Sequence, residues 1–146
     1  TVDRSEKAML LLNQNVAANF DDTSKHRSYA VDAFEYLRTT DEMFDLIILD
    51  PPAFAKHHDA LRNALQAYKR LNLAAIRKLN PGGILFTFSC SQVVSKVDFR
   101  NAVFSACAIS GRESAILHQL SQPADHPINI YHPEGEYLKG LVLRVK

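Results

Sequence analysis

An apolar run that ends in an acid and two prolines constrains the fold of this chain more than any other feature. Residues 44–49, FDLIIL, place apolar side chains on both faces, as in a parallel strand that helices cover. Asp50, Pro51 and Pro52 follow at once. Each proline fixes φ at about −65° and removes an N–H donor. The strand is therefore predicted to end at Asp50, where the chain turns stiffly out of the sheet.

Helical and strand patterns alternate along all 146 residues. Helices are predicted at 5–20, 33–40, 57–80 and 96–110, and strands at 27–32, 44–49, 84–91, 114–120 and 137–146. This alternation is typical of an α/β fold with a doubly wound, mostly parallel sheet. Because only a loop joins the last two strands, we expect them to pair antiparallel. No linker or repeat interrupts the pattern, so residues 1–146 are predicted to form one domain.

Composition and charge exclude several classes of function. Hydrophobic residues make up 47% of the chain and the formal net charge is +1, so no bulk field attracts nucleic acid. RNA binding would therefore depend on local contacts. No apolar run is long enough to cross a membrane. Cys90 and Cys107 have no metal-ligand spacing, and no metal site is predicted. A chain with two such cysteines is expected in a reducing cytoplasm.

Two acids follow short strand patterns in the N-terminal part of the chain. Asp3 lies between a strand-like Thr-Val and the first helix, where an acid either binds ribose hydroxyls or interacts with the helix dipole. Asp32 ends the strand at 27–32. Its carboxylate either accepts from an adenine amino group, with Phe34 against the ring, or caps the next helix. The residues alone leave both alternatives open.

The loop at Asp50 and the cysteine at position 90 carry the strongest functional signals. Free carbonyls and a carboxylate on a stiff Pro-Pro loop, with Phe54 as an apolar wall, suit a flat ring that bears amino groups. Cys90 ends the next strand, between two serines. In a doubly wound sheet that strand end lies beside Asp50. Cys90 is therefore either a nucleophile or a small buried hydrophobe.

Three segments resemble the S-adenosylmethionine-dependent 23S rRNA (cytosine-5-)-methyltransferases, the group with an N-terminal PUA domain. They are FDLIILDPPAF at 44–54, AYKRLNLAAIRKLNPGGILFTFSCS at 67–91 and QPADHPINIYHPEGEYLKGLVLRV at 122–145. The resemblance runs over nearly the whole chain and keeps the order of the family's elements. It implies the C-terminal part of a class I, Rossmann-like catalytic domain.

The resemblance also implies roles for individual residues. Asp3, Asp32 and Asp50 match acids that hold S-adenosylmethionine, and Asp50 also serves the catalytic step. Pro51, Pro52 and Phe54 match the segment that holds the target base, and Cys90 matches the nucleophile. Tyr68 and Lys139 lie in matching segments without an assigned role. The expected substrate is a cytosine of large-subunit ribosomal RNA, methylated at C5.

In this chain the family's first strand and Gly-rich cofactor loop have no counterpart, since both are expected before Thr1. We therefore expect a piece of a longer protein that binds S-adenosylmethionine weakly and is itself inactive. Residues 44–50 should form an unprotected edge through which copies associate. Two other functions stay open: methyl transfer to an exocyclic nitrogen, which needs no cysteine, and an inert fragment that only binds RNA or a partner.

Overall fold

The computed structural model describes residues 1–146, which divide into two compact units, Thr1–Asp41 and Glu42–Lys146. The helices are α1 (Glu6–Asn19), α2 (Ala33–Thr39), α3 (Leu61–Arg77) and α4 (Lys96–Ser110). The strands are β1 (Val2–Asp3), β2 (Tyr29–Ala30), β3 (Phe44–Leu49), β4 (Leu79–Ser89), β5 (Ser114–Leu120) and β6 (Lys139–Val145). Short 3-10 turns occur at His58–Ala60 and Pro133–Gly135.

The first unit is built on two short parallel strands. β1 pairs with β2, so that Val2 lies opposite Tyr29 and Asp3 opposite Ala30. A helix follows each strand, and Ser5 caps α1 by accepting a hydrogen bond from the Ala8 N–H at 3.2 Å. The predicted helix start at Ser5 is thus confirmed. Because β1 and β2 are parallel, their carboxyl ends lie side by side.

The second unit is built on a four-stranded mixed sheet in the order β3-β4-β6-β5. β3 runs parallel to β4, whereas β6 runs antiparallel to β4 and to β5. The α/β class and the antiparallel pairing of the last two strands are confirmed. The long loop between β5 and β6 replaces the crossover helix that a parallel pair needs.

The core of the second unit lies between the sheet and two helices. α3 and α4 contact each other, and they also contact β4 and β6 respectively. Along the second half of β4 every other residue is buried, from Gly83 to Ser89, as expected when one face of a sheet is covered. Tyr68, Ile76 and Phe99 are fully buried in this layer. Side chains of α3 and α4 therefore cover the buried face of the sheet.

β3 forms one edge of this sheet, since it pairs with β4 alone. Its apolar side chains are not fully covered: Leu46 is 51% exposed and Ile48 is 63% exposed. Residues 44–49 thus form the predicted strand, and that strand is an apolar edge.

Candidate active site

The parallel pairing of β3 and β4 brings the carboxyl ends of both strands to one end of the sheet. Leu49 lies opposite Thr87, so Asp50 follows the last residue of β3 and Cys90 follows the last residue of β4 at the same end. Asp50 is exposed, and Cys90 is a half-buried free thiol. The thiol is therefore neither sealed in the core nor fully open to solvent.

Both serines beside Cys90 are anchored below the surface. The Ser89 hydroxyl donates to the Tyr68 hydroxyl oxygen at 2.9 Å, and the Ser91 hydroxyl donates to the Ala55 carbonyl. Ser89 is 0% and Ser91 1% exposed. Fastening the residue on each side of Cys90 fixes the backbone that carries the thiol. The bond to Ala55 also ties this segment to the loop that begins at Asp50.

Tyr68 connects the two strand ends. Burial raises the pKa of Tyr68, hydrogen bonds from Ser89 and the Phe54 backbone lower it, and the negative charges of Cys90 and Asp50 raise it further. The hydroxyl is therefore neutral near pH 7. Tyr68 thus interacts electrostatically with the groups that follow both strand ends.

The loop after Asp50 continues into an aromatic cluster. The Phe54 ring meets the Tyr68 ring with centroids 4.7 Å apart, and Tyr68 in turn meets Phe99 at 5.3 Å. Both contacts have the edge-on geometry that aromatic pairs prefer. Pro51 and Phe54 are half-buried and Pro52 is exposed. The stiff Pro-Pro backbone is thus followed by a phenylalanine that packs on the aromatic core.

A buried lysine completes this region. Lys139, the first residue of β6, lies opposite Ser89 and is only 6% exposed. Its ammonium group donates to the Ser91 carbonyl at 2.5 Å. Burial lowers the pKa of Lys139, the charge of Cys90 raises it, and Lys96 lowers it.

Asp3, the last residue of β1, and Asp32, two residues after β2, lie in the first unit. Asp3 accepts from the Ser5 N–H at 2.7 Å, and Asp32 caps α2 by accepting from the N–H groups of Phe34 and Glu35 at 2.9 and 3.2 Å. The capping alternative for Asp32 is thus observed. Each acid uses only its Oδ1 atom in these bonds, so Oδ2 remains available to a ligand.

Sequence reasoning found Asp50 and Cys90 but gave no role to the residues that hold them. Ser89, Ser91, Tyr68 and Lys139 form that support. One signal was present in the sequence: Lys139 is a cation that opens the mostly apolar strand KGLVLRV, and a buried charge is costly there. The tyrosine gave no such signal, because its helical stripe is typical of ordinary core packing.

Neither a metal-ligand cluster nor a membrane-spanning helix is found among residues 1–146. No group of three or more His, Cys, Asp or Glu side chains is arranged to hold a metal ion. No helix combines the length and apolar character needed to cross a bilayer.

Solved structures define the class of fold. A protein from Streptococcus mutans described as a SAM-dependent methyltransferase superposes with a TM-score of 0.81 at 21% identity, over 99% of this chain and 37% of its own. The methyltransferase SMU.776, complexed with SAH, gives the same TM-score and identity over 99% of this chain and 38% of its own. TrmN from Thermus thermophilus gives 0.66 at 19% identity, over 99% and 35%. The fold is that of the SAM-dependent methyltransferases.

Curated relatives with higher sequence identity share one description, although no protein-family model matches the chain. Ribosomal RNA large subunit methyltransferase I of Tolumonas auensis is 46% identical over 98% of this chain, and that of Enterobacter sp. is 42% identical over 99%. The chain spans 37% of the length of each. The chain is homologous to the matching segment of the ribosomal RNA large subunit methyltransferase I proteins. This homology confirms the resemblance seen in the sequence.

Proposed function

We propose that this chain carries the reaction centre of an S-adenosylmethionine-dependent enzyme that methylates C5 of a cytosine in large-subunit ribosomal RNA. One observation carries the proposal: a half-buried thiol lies between two anchored serines just after β4, at the same end of the sheet as Asp50, which follows β3. A thiol held in this way suits attack on a base. The names of the relatives supply ribosomal RNA as the substrate class and support an enzyme.

Cys90 is proposed as the nucleophile. C5 of cytosine is a poor nucleophile, and addition of the Cys90 thiolate to C6 forms a C–S bond and pushes electron density towards C5. S-adenosylmethionine supplies the methyl group as an electrophile. A general base then takes the C5 proton, the C5–H electrons re-form the C5–C6 double bond and expel the thiolate, and the methyl donor leaves as S-adenosylhomocysteine. Atoms and charge balance in this sequence without an oxidant or a metal.

Asp50 is proposed to balance the charge that forms on the base. When the thiolate adds to C6, negative charge spreads towards N3, where a carboxyl group can share a proton. Pro51 and Pro52 present carbonyls but no N–H donors, so they favour the amino side of cytosine. Phe54, packed on Tyr68, provides the apolar wall.

Asp3 and Asp32 fit the cofactor chemically. A free carboxylate oxygen at each of two neighbouring strand ends can accept from ribose hydroxyls and from an adenine amino group. We assign Asp3 to the ribose and Asp32 to the adenine; the cofactor role that the sequence suggested for Asp50 stays a prediction. Weak binding of S-adenosylmethionine by these 146 residues stays a prediction, which calorimetry on the chain tests.

Replacing Cys90 with alanine tests the proposed function. In the full-length polypeptide that carries this chain, Cys90→Ala should abolish methyl transfer to C5, a loss of at least about 1,000-fold, because no other group adds to C6. Cys107→Ala, which removes the other thiol on α4, should leave the rate within about twofold. The methylated nucleoside is identified by mass spectrometry of digested ribosomal RNA.

The same experiment separates the two alternatives. Unchanged activity in Cys90→Ala with the methyl group on an exocyclic nitrogen would establish nitrogen transfer through the Asp50 loop. Binding of ribosomal RNA without methylation by the unsubstituted protein would establish an inert binding function. A cytoplasmic location and association of copies through β3 are further parts of the proposal.

A further inference from the structure

A buried ammonium group lies at the start of β6 without a carboxylate partner. Lys139 is 6% exposed, and none of the protein's ion pairs includes it. A lysine has three N–H donors, and the Ser91 carbonyl accepts from one of them. Burying a charge with so little compensation costs stability, so the packing of β6 gives no reason for a cation here.

The pairing of β4 with β6 brings the Lys139 ammonium group close to the backbone of residues 89–91. Ser89 and Lys139 are directly opposite, so their side chains lie on the same face of the sheet. The lysine reaches past Ser89 to the carbonyl of Ser91. Cys90 lies between the residue opposite Lys139 and the residue that Lys139 bonds.

Tyr68 and Lys139 interact electrostatically with Cys90, and other charged groups lie near them. Tyr68 comes from α3, Asp50 from the loop after β3, and Lys139 from β6. Lys96, at the start of α4, interacts with Lys139 but is itself exposed and paired with Glu136. Tyr68 is neutral near pH 7 and Lys96 is exposed, so Lys139 is the one buried cation among these groups.

We propose that Lys139 is a positioning residue that fixes the Ser91 carbonyl and stabilises the thiolate of Cys90. The proposal rests on the proposed function only for its consequence, which is stabilisation of the ionised nucleophile. The proposed interaction between ammonium and thiolate involves only residues of this chain. It can therefore be measured without methyl transfer.

The test is the pH dependence of alkylation by iodoacetamide in chains that carry Cys107→Ala, so that Cys90 alone reacts. Replacing Lys139 with methionine, which has a similar shape and no charge, should raise the midpoint of the rate profile by about one pH unit. Lys139→Arg keeps the charge, so its midpoint should lie close to that of the chain with Lys139. The midpoint is measured instead of the rate at one pH, because a thiol with a higher pKa forms less thiolate but a more reactive one. These two effects partly cancel in the rate.

Several outcomes would overturn the proposal. An unchanged midpoint in Lys139→Met would do so, and so would equal shifts in the methionine and arginine variants, since the charge would then be irrelevant. If Lys139→Met does not fold, NMR titration of the lysine ammonium compares the unsubstituted chain with Cys90→Ser. Loss of the thiolate should lower the pKa of Lys139, and no change would contradict the pairing.

The two proposals fail separately. A shifted alkylation profile together with unimpaired methylation by Cys90→Ala would keep the role of Lys139 and reject Cys90 as the methylation nucleophile. An unshifted profile together with inactive Cys90→Ala would do the reverse.

Discussion

Cys90 differs from an ordinary core cysteine because the serines on both sides of it form buried hydrogen bonds. Ser89 and Ser91 turn inward to Tyr68 and Ala55, which leaves the residue between them at the surface of the strand end. Each of those hydrogen bonds contributes about 1 kcal/mol net, and a buried hydroxyl left unpaired costs about 1–3 kcal/mol. The segment is therefore held in one conformation, which a nucleophile requires.

Lys139 gives a prediction about stability and pH. Burial lowers the pKa of Lys139 below its ordinary value of 10.5, so the unfolded chain binds this proton more strongly than the folded chain. The destabilisation is full below the folded pKa and disappears as pH rises towards 10.5. Between those values the free energy of unfolding should therefore rise with pH relative to Lys139→Met.

Urea denaturation of both proteins at several pH values measures this difference. Subtracting the methionine variant removes the opposite effect of Tyr68, whose raised pKa lowers stability above about pH 10 in both proteins. A difference that stays flat with pH, or that falls, would contradict the buried position of the ammonium group.

At the same scale, the sequence predicted Cys90 and Asp50 because each follows an apolar run that ends sharply. It did not predict the partners of Ser89 or Ser91, since those lie 21 and 36 residues away and depend on how α3 packs. Asp32 shows the opposite limit: its local pattern fits a cap and a ligand equally, and capping uses one carboxylate oxygen only.

Strand β6 depends on a close approach at Gly140. A Cβ atom added there would lie 2.7 Å from the Phe88 ring and 3.0 Å from Leu120 Cβ, because Gly140 pairs with both of those residues. Gly140→Ala should therefore destabilise the protein by about 1–3 kcal/mol. Thermal unfolding followed by circular dichroism measures the effect.

Gly135→Ala is the matched control, since an added Cβ would meet nothing within 4 Å at that position. It should leave the unfolding midpoint nearly unchanged. Equal midpoints for the two variants would show that β6 does not pack against β4 and β5 as described.

The helices and strands followed the sequence closely where local patterns are strong. β3, α4 and β5 occupy the predicted residues, and Gly111 ends α4 with φ of 72°, a left-handed conformation that glycine adopts easily. α3 begins at Leu61 instead of residue 57, because a 3-10 turn at His58–Ala60 precedes it. α3 ends at Arg77 instead of residue 80, and β4 begins at Leu79, five residues before the predicted start at residue 84.

At the scale of the whole molecule, the exposed edge of β3 predicts association between copies. An edge strand offers unpaired N–H and C=O groups, and Leu46 and Ile48 add exposed apolar surface. We expect sedimentation velocity at tens of micromolar to show dimers or larger species. Ile48→Lys should shift the population to monomer, since a charge on an edge strand opposes pairing.

Ile130→Lys provides the control for this prediction. Ile130 is 86% exposed in the loop between β5 and β6, so the same charge is added away from β3. It should leave the association unchanged. A chain that sediments as a monomer before any substitution would contradict association through this edge.

The covalent bond between Cys90 and C6 of cytosine is the most direct test of the proposed reaction. In ribosomal RNA that contains 5-fluorocytidine, fluorine replaces the C5 hydrogen. No proton can then leave C5 after methyl transfer, so the adduct with Cys90 cannot break down. Incubated with S-adenosylmethionine, the full-length polypeptide should form a protein–RNA adduct that survives denaturation and maps to Cys90 by mass spectrometry. Cys107→Ala should form it equally and Cys90→Ser should form none; an adduct that persists in Cys90→Ser, or methylation without any adduct in the unsubstituted protein, would contradict the account.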